Sequence, residues 1–166
     1  MSVVLDIVRT YRAPRDTLAR RIGSQVREDR ALAVLMGACI LIFVAQWPRL
    51  AREAHLAGEI GFDARLAGAL FAWLFMAPLM FYVLSLLVQG ALRLFRRKAD
   101  GYSVRMALFW GLLAAAPLFL FTGLTAGFVG PGPALNLVGG LAFGALVVFW
   151  VSGISLVASK RTDSGH

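Results

Sequence analysis

Four long apolar stretches, none with an acidic or basic residue, fill most of this sequence: Ala31–Trp47, Leu66–Leu92, Met106–Val129 and Ala134–Ala158. An α-helix rises 1.5 Å per residue, so about 20 apolar residues cross the ~30 Å hydrocarbon core of a bilayer. A water-soluble chain of 166 residues could not hide this much apolar surface in one core. The sequence therefore predicts an all-α integral membrane protein with four transmembrane helices.

The charged residues divide the chain into three regions. Residues 1–30 form a basic, amphipathic N-terminal arm, residues 31–158 a four-helix transmembrane bundle, and residues 159–166 a short tail. The lone cysteine, Cys39, excludes a disulfide bond within the chain. Within the bundle we expect helices over about residues 31–50, 66–92, 104–129 and 134–158.

The basic residues lie mainly on one side of the expected membrane. Four crossings place both termini and the connection between the second and third helices on the same side. That side carries all but three of the 17 Lys and Arg residues, the exceptions being Arg49, Arg52 and Arg65. The positive-inside rule makes it the cytoplasm, which predicts a multi-pass bacterial inner-membrane protein with both termini cytoplasmic. Because topology accounts for the net charge of +8, we expect no nucleic-acid partner.

The first part of the arm has the pattern of an amphipathic helix that ends before Pro14. Val4, Ile7, Val8 and Tyr11 follow the i, i+3, i+4, i+7 spacing of one helix face. Asp6, Arg9 and Thr10 are expected on the outer, polar face, away from this stripe. Pro14 suits the first turn of a second helix, where its missing N–H has no intrahelical partner.

The second helix of the arm is expected over Arg15–Arg27, with an apolar stripe of Leu18, Ile22 and Val26. Such a helix lies in the headgroup plane, with its stripe in the acyl boundary and its arginines on anionic lipid. Alternatively, the stripe packs on the chain's own transmembrane helices, and the two arrangements are compatible. The candidates for contact with anionic inner-leaflet lipid or a partner are Arg15, Arg20, Arg21 and Arg27.

The segment Tyr11–Ile22, YRAPRDTLARRI, combines a Pro-Arg-x-Thr-Leu core with a basic arm that precedes the first span. In this it resembles the entry of bacterial YIP1-family membrane proteins, and the Gly/Pro-rich turn Phe128–Ala134 and the overall size also suit that family. The resemblance implies a multi-pass scaffold or trafficking-type protein. Eukaryotic members bind small GTPases, but no segment here carries a motif to which that role could be assigned.

Two G-x-x-x-G motifs lie in the last two spans, Gly123 with Gly127 and Gly140 with Gly144. Glycines four apart form a groove in which a second helix backbone can approach closely. The turn between the spans is short enough to make them antiparallel neighbours, and the motifs lie at similar depth. We therefore expect all four glycines to pack one tight hairpin, the alternative being that one motif faces another chain.

Pro78 and Pro117 lie deep in the second and third spans. Each removes one helical hydrogen bond and is expected to kink its helix. Trp47, Tyr102 and Trp110 lie near the ends of spans, where aromatic side chains usually anchor a protein in the headgroup region.

Residues that carry chemistry are sparse. No protease, P-loop or C-x-x-C motif occurs, and no carboxylate, histidine or arginine lies inside the spans to form an ion or proton path. His55 and Glu59 could share a helix face in the first connection, but zinc requires three or four ligands. We expect no enzyme activity and no cofactor.

The function expected from these observations is a non-catalytic scaffold, accessory subunit or assembly factor. It would bind membrane lipid and other integral membrane proteins, in a larger complex or a homo-oligomer. The alternative is a small oligomeric transporter or channel for an uncharged or lipidic solute, with Pro78 and Pro117 shaping its path.

Overall fold

The computed structural model describes residues 3–22, 27–57, 61–95 and 100–159. The described residues form seven α-helices: α1 (Val3–Arg12), α2 (Pro14–Ile22), α3 (Glu28–Ala57), α4 (Phe62–Phe71), α5 (Ala77–Leu94), α6 (Gly101–Phe128) and α7 (Pro133–Ser159). A π-helical segment, Ala72–Met76, joins α4 and α5 into one continuous helix, Phe62–Leu94.

Four helices in the described part of the chain are long and apolar enough to cross a membrane: α3, the continuous helix α4–α5, α6 and α7. On α3 the uncharged stretch between Arg30 and Arg49 is about 27 Å long at 1.5 Å per residue. This length is close to the ~30 Å of the hydrocarbon core. The all-helical architecture with four such helices agrees with the sequence-based prediction.

Helix α3 extends beyond the expected end near residue 50 and contains Pro48 in its interior. Proline removes one backbone donor, and the helix continues past it to Ala57. Arg49 donates to Glu53 at 2.7 Å, an i, i+4 ion pair on the helix surface.

The order of the helices in space follows from contacts at their two ends. Arg105, near the start of α6, pairs with Glu28 at the start of α3, whereas Arg52, near the end of α3, donates to the Gly127 carbonyl near the end of α6 at 3.2 Å. Helices α3 and α6 therefore run in the same direction, and α4–α5 and α7 run in the opposite direction. We call the end that holds Glu28 and Arg105 the arm end, because α1 and α2 lie there.

Helix α6 lies at the centre of the bundle. It packs most extensively on α3 and α7, and its first half also contacts α1 and α2. Nearly every residue from Tyr102 to Ala116 is buried. Helix α4–α5 is peripheral, with few buried residues along its length. The arm end of the bundle therefore has a closed core, whereas the surfaces of α4–α5 and α7 remain largely uncovered.

The two predicted kink sites lie in different backbone environments. The wider π-helical turns directly precede Pro78, and the Ala77 N–H bonds the Ala72 carbonyl. This widening relieves the clash that a proline ring makes with the carbonyl four residues earlier. Pro117 lies inside α6, which continues through it to Phe128.

Candidate functional site

A polar network joins the N-terminal arm to the centre of α6. The indole Nε1 of Trp110 donates to Thr10 Oγ1 at 3.1 Å, in a fully buried contact. Thr10 Oγ1 in turn donates to the backbone carbonyl of Asp6, one turn earlier in α1, at 2.7 Å. Because both groups are paired, α1 can bury a hydroxyl and an indole N–H at this point without the cost of lost hydrogen bonds.

An arginine and a carboxylate of the arm complete this network. Arg21 of α2 donates to Asp6 Oδ2 of α1 at 2.6 Å, and each side chain is less than one-fifth exposed. The Arg21 guanidinium carbon lies 3.7 Å from the centre of a Trp110 ring, in cation–π geometry. Trp110 is five residues inside Arg105, or about 7.5 Å along α6. The arm thus brings an ion pair to a level where the central helix itself is apolar.

This arrangement corrects the expectation for two aromatic residues. Trp110 and Tyr102, expected to anchor the protein in the headgroup region, are each 2 % exposed and lie inside the protein. Trp47 is 46 % exposed. Sequence position alone placed all three near span ends, and it could not show that the arm covers the first half of α6.

Tyr11 ties the end of α1 to a deeper turn of α6. Its phenol donates to the Ala114 carbonyl at 2.9 Å, and its ring packs edge-on against Phe149 of α7 with centroids 5.2 Å apart. Partial burial raises the pKa of the Tyr11 phenol above its ordinary value of 10.0 because the phenolate is the form that loses solvation. The phenol is therefore a stable donor at physiological pH.

The orientation of α1 differs from the expected one. Thr10 is buried and the Asp6 side chain is 14 % exposed, although both were expected on the outer, polar face. Val4 and Val8 of the expected apolar stripe are exposed, while Ile7 packs on the core. Helix α1 therefore turns polar groups toward the protein and several apolar side chains outward.

Helix α2 packs part of its apolar stripe on the chain's own long helices, which is one of the two arrangements expected from the sequence. Leu18 is 3 % exposed, and a β-carbon on Gly153 of α7 would lie 3.1 Å from its Cδ2 and 3.1 Å from Ala107 Cβ. The missing side chain at Gly153 thus admits Leu18 between α6 and α7. Ile22 also packs against the core, and Val26 lies outside the described residues.

The four arginines singled out from the sequence have different environments. Arg21 is directed into the protein, as described above. Arg15 donates to Ser155 Oγ of α7 at 3.0 Å, and Arg20 donates to the backbone carbonyl of Asp16 at 3.3 Å. Arg27 pairs with Asp29 at 2.9 Å on the surface. Arg15, Arg20 and Arg27 are exposed and lie where a charged headgroup or a partner could reach them.

A cavity of about 830 Å³ lies between the arm and α3. Its volume is within the ~300–1,000 Å³ range of ligand sites. One part of its lining is polar and the other apolar. The lining residues are Val3, Asp6, Thr17, Arg20, Arg21, Arg30, Ala33, Val34, Gly37, Ile40, Leu41 and Leu113.

The two glycine motifs do not pack against each other, so the expected glycine-to-glycine hairpin is wrong. A β-carbon on Gly123 would lie 2.7 Å from the Ala45 carbonyl carbon, and one on Gly127 would lie 2.7 Å from that of Pro48. The α6 motif is therefore filled by α3. Helices α6 and α7 do pack side by side. Beside the α7 motif, Gly140 and Gly144, nothing lies within 4 Å in the described structure.

The sequence could not distinguish these arrangements because both helices flanking α6 are apolar. Spacing identifies a groove but not its occupant. The parallel helix α3 is seated in that groove, and the antiparallel neighbour α7 contacts a different face of α6. That face includes Gly111, where a β-carbon would lie 2.7 Å from Trp150 Cδ1.

The opposite end of the bundle holds a smaller cavity of about 400 Å³ among α3, α6 and α7, with Gln46, Arg49, Thr122 and Asn136 in its lining. Glu59 lies outside the described residues, so the His55–Glu59 pairing has no structural description. Among the described residues, no group of three or more His, Cys, Asp or Glu side chains is close enough to hold a metal ion.

The helices define the class: the chain has the architecture of a polytopic membrane protein, with four candidate spans in its described part. No protein-family model, curated protein or solved structure matches the chain. The membership in the YIP1 family expected from the Tyr11–Ile22 segment therefore stays a prediction.

Proposed function

We propose that the chain is a non-catalytic, multi-pass protein of the bacterial inner membrane that docks on other membrane proteins as a scaffold, accessory subunit or assembly factor. The observation that carries this proposal is the open groove at Gly140 and Gly144 of α7, where a β-carbon on either glycine would have no atom of the described residues within 4 Å. The equivalent groove at Gly123 and Gly127 of α6 is filled by another helix of the same chain.

The contrast between the two motifs separates a docking surface from ordinary lipid contact. Lipid chains require only an apolar surface, such as the exposed Leu141 and Phe143 side chains between the glycines. Paired glycines additionally allow a helix backbone to approach closely, which supplies the dispersion contacts that hold helices together in lipid. We infer that a helix of a partner membrane protein occupies the α7 groove.

The proposed orientation places the arm end in the cytoplasm. The basic residues of the arm and of the connection between α5 and α6 support it through the positive-inside rule. Impermeant thiol labelling in sealed cells would test it with Arg9→Cys at the arm end and Gly132→Cys in the turn before α7. Native Cys39 is fully buried, so it should not react with the reagent. We expect labelling of Gly132→Cys alone, and labelling of Arg9→Cys from outside would overturn the orientation.

The docking proposal is tested by purifying the tagged protein from native membranes in mild detergent and measuring the size and composition of its complex. Gly140→Leu and Gly144→Leu should release the partner while leaving the unfolding of the chain unchanged. Gly68→Leu on α4 is the matched control, since a β-carbon on Gly68 would likewise have no described atom within 4 Å. Loss of the partner in this control as well, or a wild-type protein that migrates as a monomer, would contradict the proposal.

The transporter alternative lacks a comparable supporting observation. A path through the centre of a single chain would have to pass Phe109, Trp110 and Leu112, whose side chains are almost completely buried in the core. These residues fill the space between the helices, and Trp110 also contacts Thr10 and Arg21 of the arm.

A further inference from the structure

The contacts of α1 with the central helix lie well inside the charged end of the bundle. Trp110 of α6 donates to Thr10 of α1. Tyr11 of α1 donates to the Ala114 carbonyl of α6. The one charged residue of α6, Arg105, precedes Trp110 by five residues and Ala114 by nine, which is about 7.5 and 13.5 Å along the helix. Helix α1 is therefore held at a level where α6 carries no charge.

Helix α7 gives an independent measure of the depth of α1. The rings of Tyr11 and Phe149 pack edge-on with centroids 5.2 Å apart. Phe149 lies ten residues before Ser159, where α7 ends, a distance of about 15 Å along that helix. Two neighbouring helices thus place the end of α1 at a similar distance inside the arm end of the bundle.

The contacts of α2 with the same two helices are shallower. Leu18 lies where Gly153 of α7 meets Ala107 of α6. Ala107 follows Arg105 by two residues, or about 3 Å, and Gly153 precedes the end of α7 by six residues, or about 9 Å. On both helices α2 is closer to the arm end than α1 is. Helix α1 is therefore the deeper layer of the arm, and α2 lies between it and the charged end of the bundle.

At this depth α1 turns polar groups inward and apolar side chains outward. The Asp6 carboxylate is paired with Arg21 of α2, and the Thr10 hydroxyl donates to the Asp6 carbonyl. Three apolar side chains of α1 are more than half exposed, those of Val4, Leu5 and Val8. Hydrocarbon contains no water to bond a polar group, so a helix that faces lipid keeps its polar side chains paired within the protein.

The arginines of α1 are compatible with a position below the headgroups. Arg9 and Arg12 are exposed, and an arginine side chain can return its guanidinium to the headgroup level while its methylene groups stay in apolar surroundings. Arg9 also comes within 4.0 Å of Asp6, on the side where Asp6 meets α2. The charge of Arg9 is therefore directed toward the shallower layer of the arm.

We propose that α1 lies within the leaflet at the arm end, where Val4, Leu5 and Val8 contact lipid acyl chains and α2 covers α1 toward the headgroups. The contacts of α1 with α6, about 7 to 14 Å inside Arg105, fall within the ~15 Å that one leaflet contributes to the ~30 Å hydrocarbon core. A partner dissolved in water does not enter this layer, whereas acyl chains fill it. The inference rests on the proposed membrane location and assigns α1 to the membrane-embedded body of the protein.

The test attaches a nitroxide spin label to the full chain in vesicles of phosphatidylcholine and phosphatidylglycerol. Val4→Cys and Val8→Cys report on α1, Leu86→Cys is the hydrocarbon reference and Arg20→Cys is the aqueous reference. Leu86 is exposed on α5 and lies seven residues before Arg93, about 10 Å along the helix. Power saturation compares oxygen, which concentrates in hydrocarbon, with a nickel chelate, which stays in water. We expect both α1 labels to match Leu86→Cys, with a several-fold higher ratio of oxygen to nickel accessibility than Arg20→Cys.

Two other results would overturn the proposal. Labels at Val4→Cys and Val8→Cys that resemble Arg20→Cys would place this face of α1 in water. Labels that are shielded from both oxygen and the nickel chelate would mean that protein, from a second copy of the chain, covers the face instead of lipid.

A second variant tests the same contact without a label. Val8→Gln should speed proteolysis within residues 3–22 roughly fivefold in these vesicles, because glutamine forfeits the transfer of a valine surface into hydrocarbon. Arg9→Gln, at the next position of α1, is the matched control and should leave the rate nearly unchanged. Equal rates for wild type and Val8→Gln would contradict the lipid contact.

These experiments separate the position of α1 from the docking proposal. Both use the purified chain without a partner, so a wild-type protein that migrates as a monomer contradicts docking and leaves the α1 result unaffected. Conversely, α1 labels found in water would overturn the inference about the arm and leave the docking groove at Gly140 and Gly144 intact.

Discussion

Gly123 of α6 and Ala45 of α3 bring two helix backbones into direct contact. A β-carbon on Gly123 would overlap the Ala45 carbonyl group, with the carbonyl carbon only 2.7 Å away. One turn further, Gly127 contacts Pro48 in the same way. Because the obstructing atoms belong to backbone, they cannot move aside as a flexible side chain could.

Gly123→Ala and Gly127→Ala should each lower the free energy of unfolding by about 1–3 kcal/mol, through overpacking of the α3–α6 contact. Unfolding in detergent, followed by circular dichroism, measures the change. Gly140→Ala and Gly144→Ala are the controls. They should leave stability unchanged or raise it by up to ~1 kcal/mol, since alanine favours the helix where space is open. Equal losses for all four variants would mean that another helix of the same chain also occupies the groove of α7.

Arg21→Gln should loosen the arm, because it removes both the ion pair with Asp6 and the cation–π contact with Trp110. The expected loss of stability is about 2–5 kcal/mol, the sum of the ranges for a hydrogen bond to a charged group and for a cation–π contact. Arg21→Lys should recover only part of it, since an ammonium lacks the planar fork. The rate of proteolysis within residues 3–22 reports the arm separately from the bundle. Arg12→Gln, which removes an exposed charge from α1, should have little effect, and an equal effect would refute a specific role for Arg21.

Tyr11→Phe should lower stability by about 1 kcal/mol, because the Ala114 carbonyl loses a hydrogen bond. The wild-type contact should also depend on pH. Burial raises the pKa of the phenol above 10.0, so the folded state holds this proton more tightly than the unfolded chain. Its contribution is complete below pH 10 and is lost as the pH rises through the raised pKa. A phenolate titration that is the same in folded and unfolded protein would contradict this prediction.

Gly130→Ala should destabilise the turn between α6 and α7 by about 1–2 kcal/mol. Gly130 has a φ of +88°, in the left-handed region that costs an L-residue this amount. A β-carbon there would also lie 2.5 Å from Arg52 Nη2, which would displace the guanidinium from the Gly127 and Phe128 carbonyls at the end of α6. Gly132→Ala should be neutral in the same thermal unfolding assay, since a β-carbon there would have no atom of the described chain within 4 Å. A neutral Gly130→Ala would show that the turn relaxes freely.

The glycine motifs show how far sequence reasoning reached. Spacing and depth identified Gly123, Gly127, Gly140 and Gly144 as candidates for close helix packing. They predicted α7 as the helix packed on Gly123 and Gly127, whereas that helix is α3. In a bundle where every neighbour is apolar, periodicity carries no information about which helix occupies a groove. Only the three-dimensional arrangement shows α3 in the groove of α6 and leaves that of α7 open.

The arm was the harder part to predict. The sequence located the helix break at Pro14 and the apolar spacing of α1, yet it assigned Asp6 and Thr10 to the outer face. That assignment follows a rule for helices on water-soluble proteins. The structure turns Asp6 toward Arg21 and Thr10 toward Trp110. An arm seated against a membrane bundle can satisfy its polar groups inside the protein and present valines to lipid.

Hydropathy and the placement of charge were enough to predict four helices suited to hydrocarbon. Four uncharged stretches of about 17 to 27 residues can be helices in hydrocarbon, since each helix satisfies its own backbone hydrogen bonds there. The folded arrangement was needed to show where the remaining polar and small residues lie: Arg21 over Trp110, Tyr11 on the Ala114 carbonyl, and Gly123 against Ala45. These contacts join residues that are 78 to more than 100 positions apart, and they depend on which helix faces meet, which local periodicity does not encode.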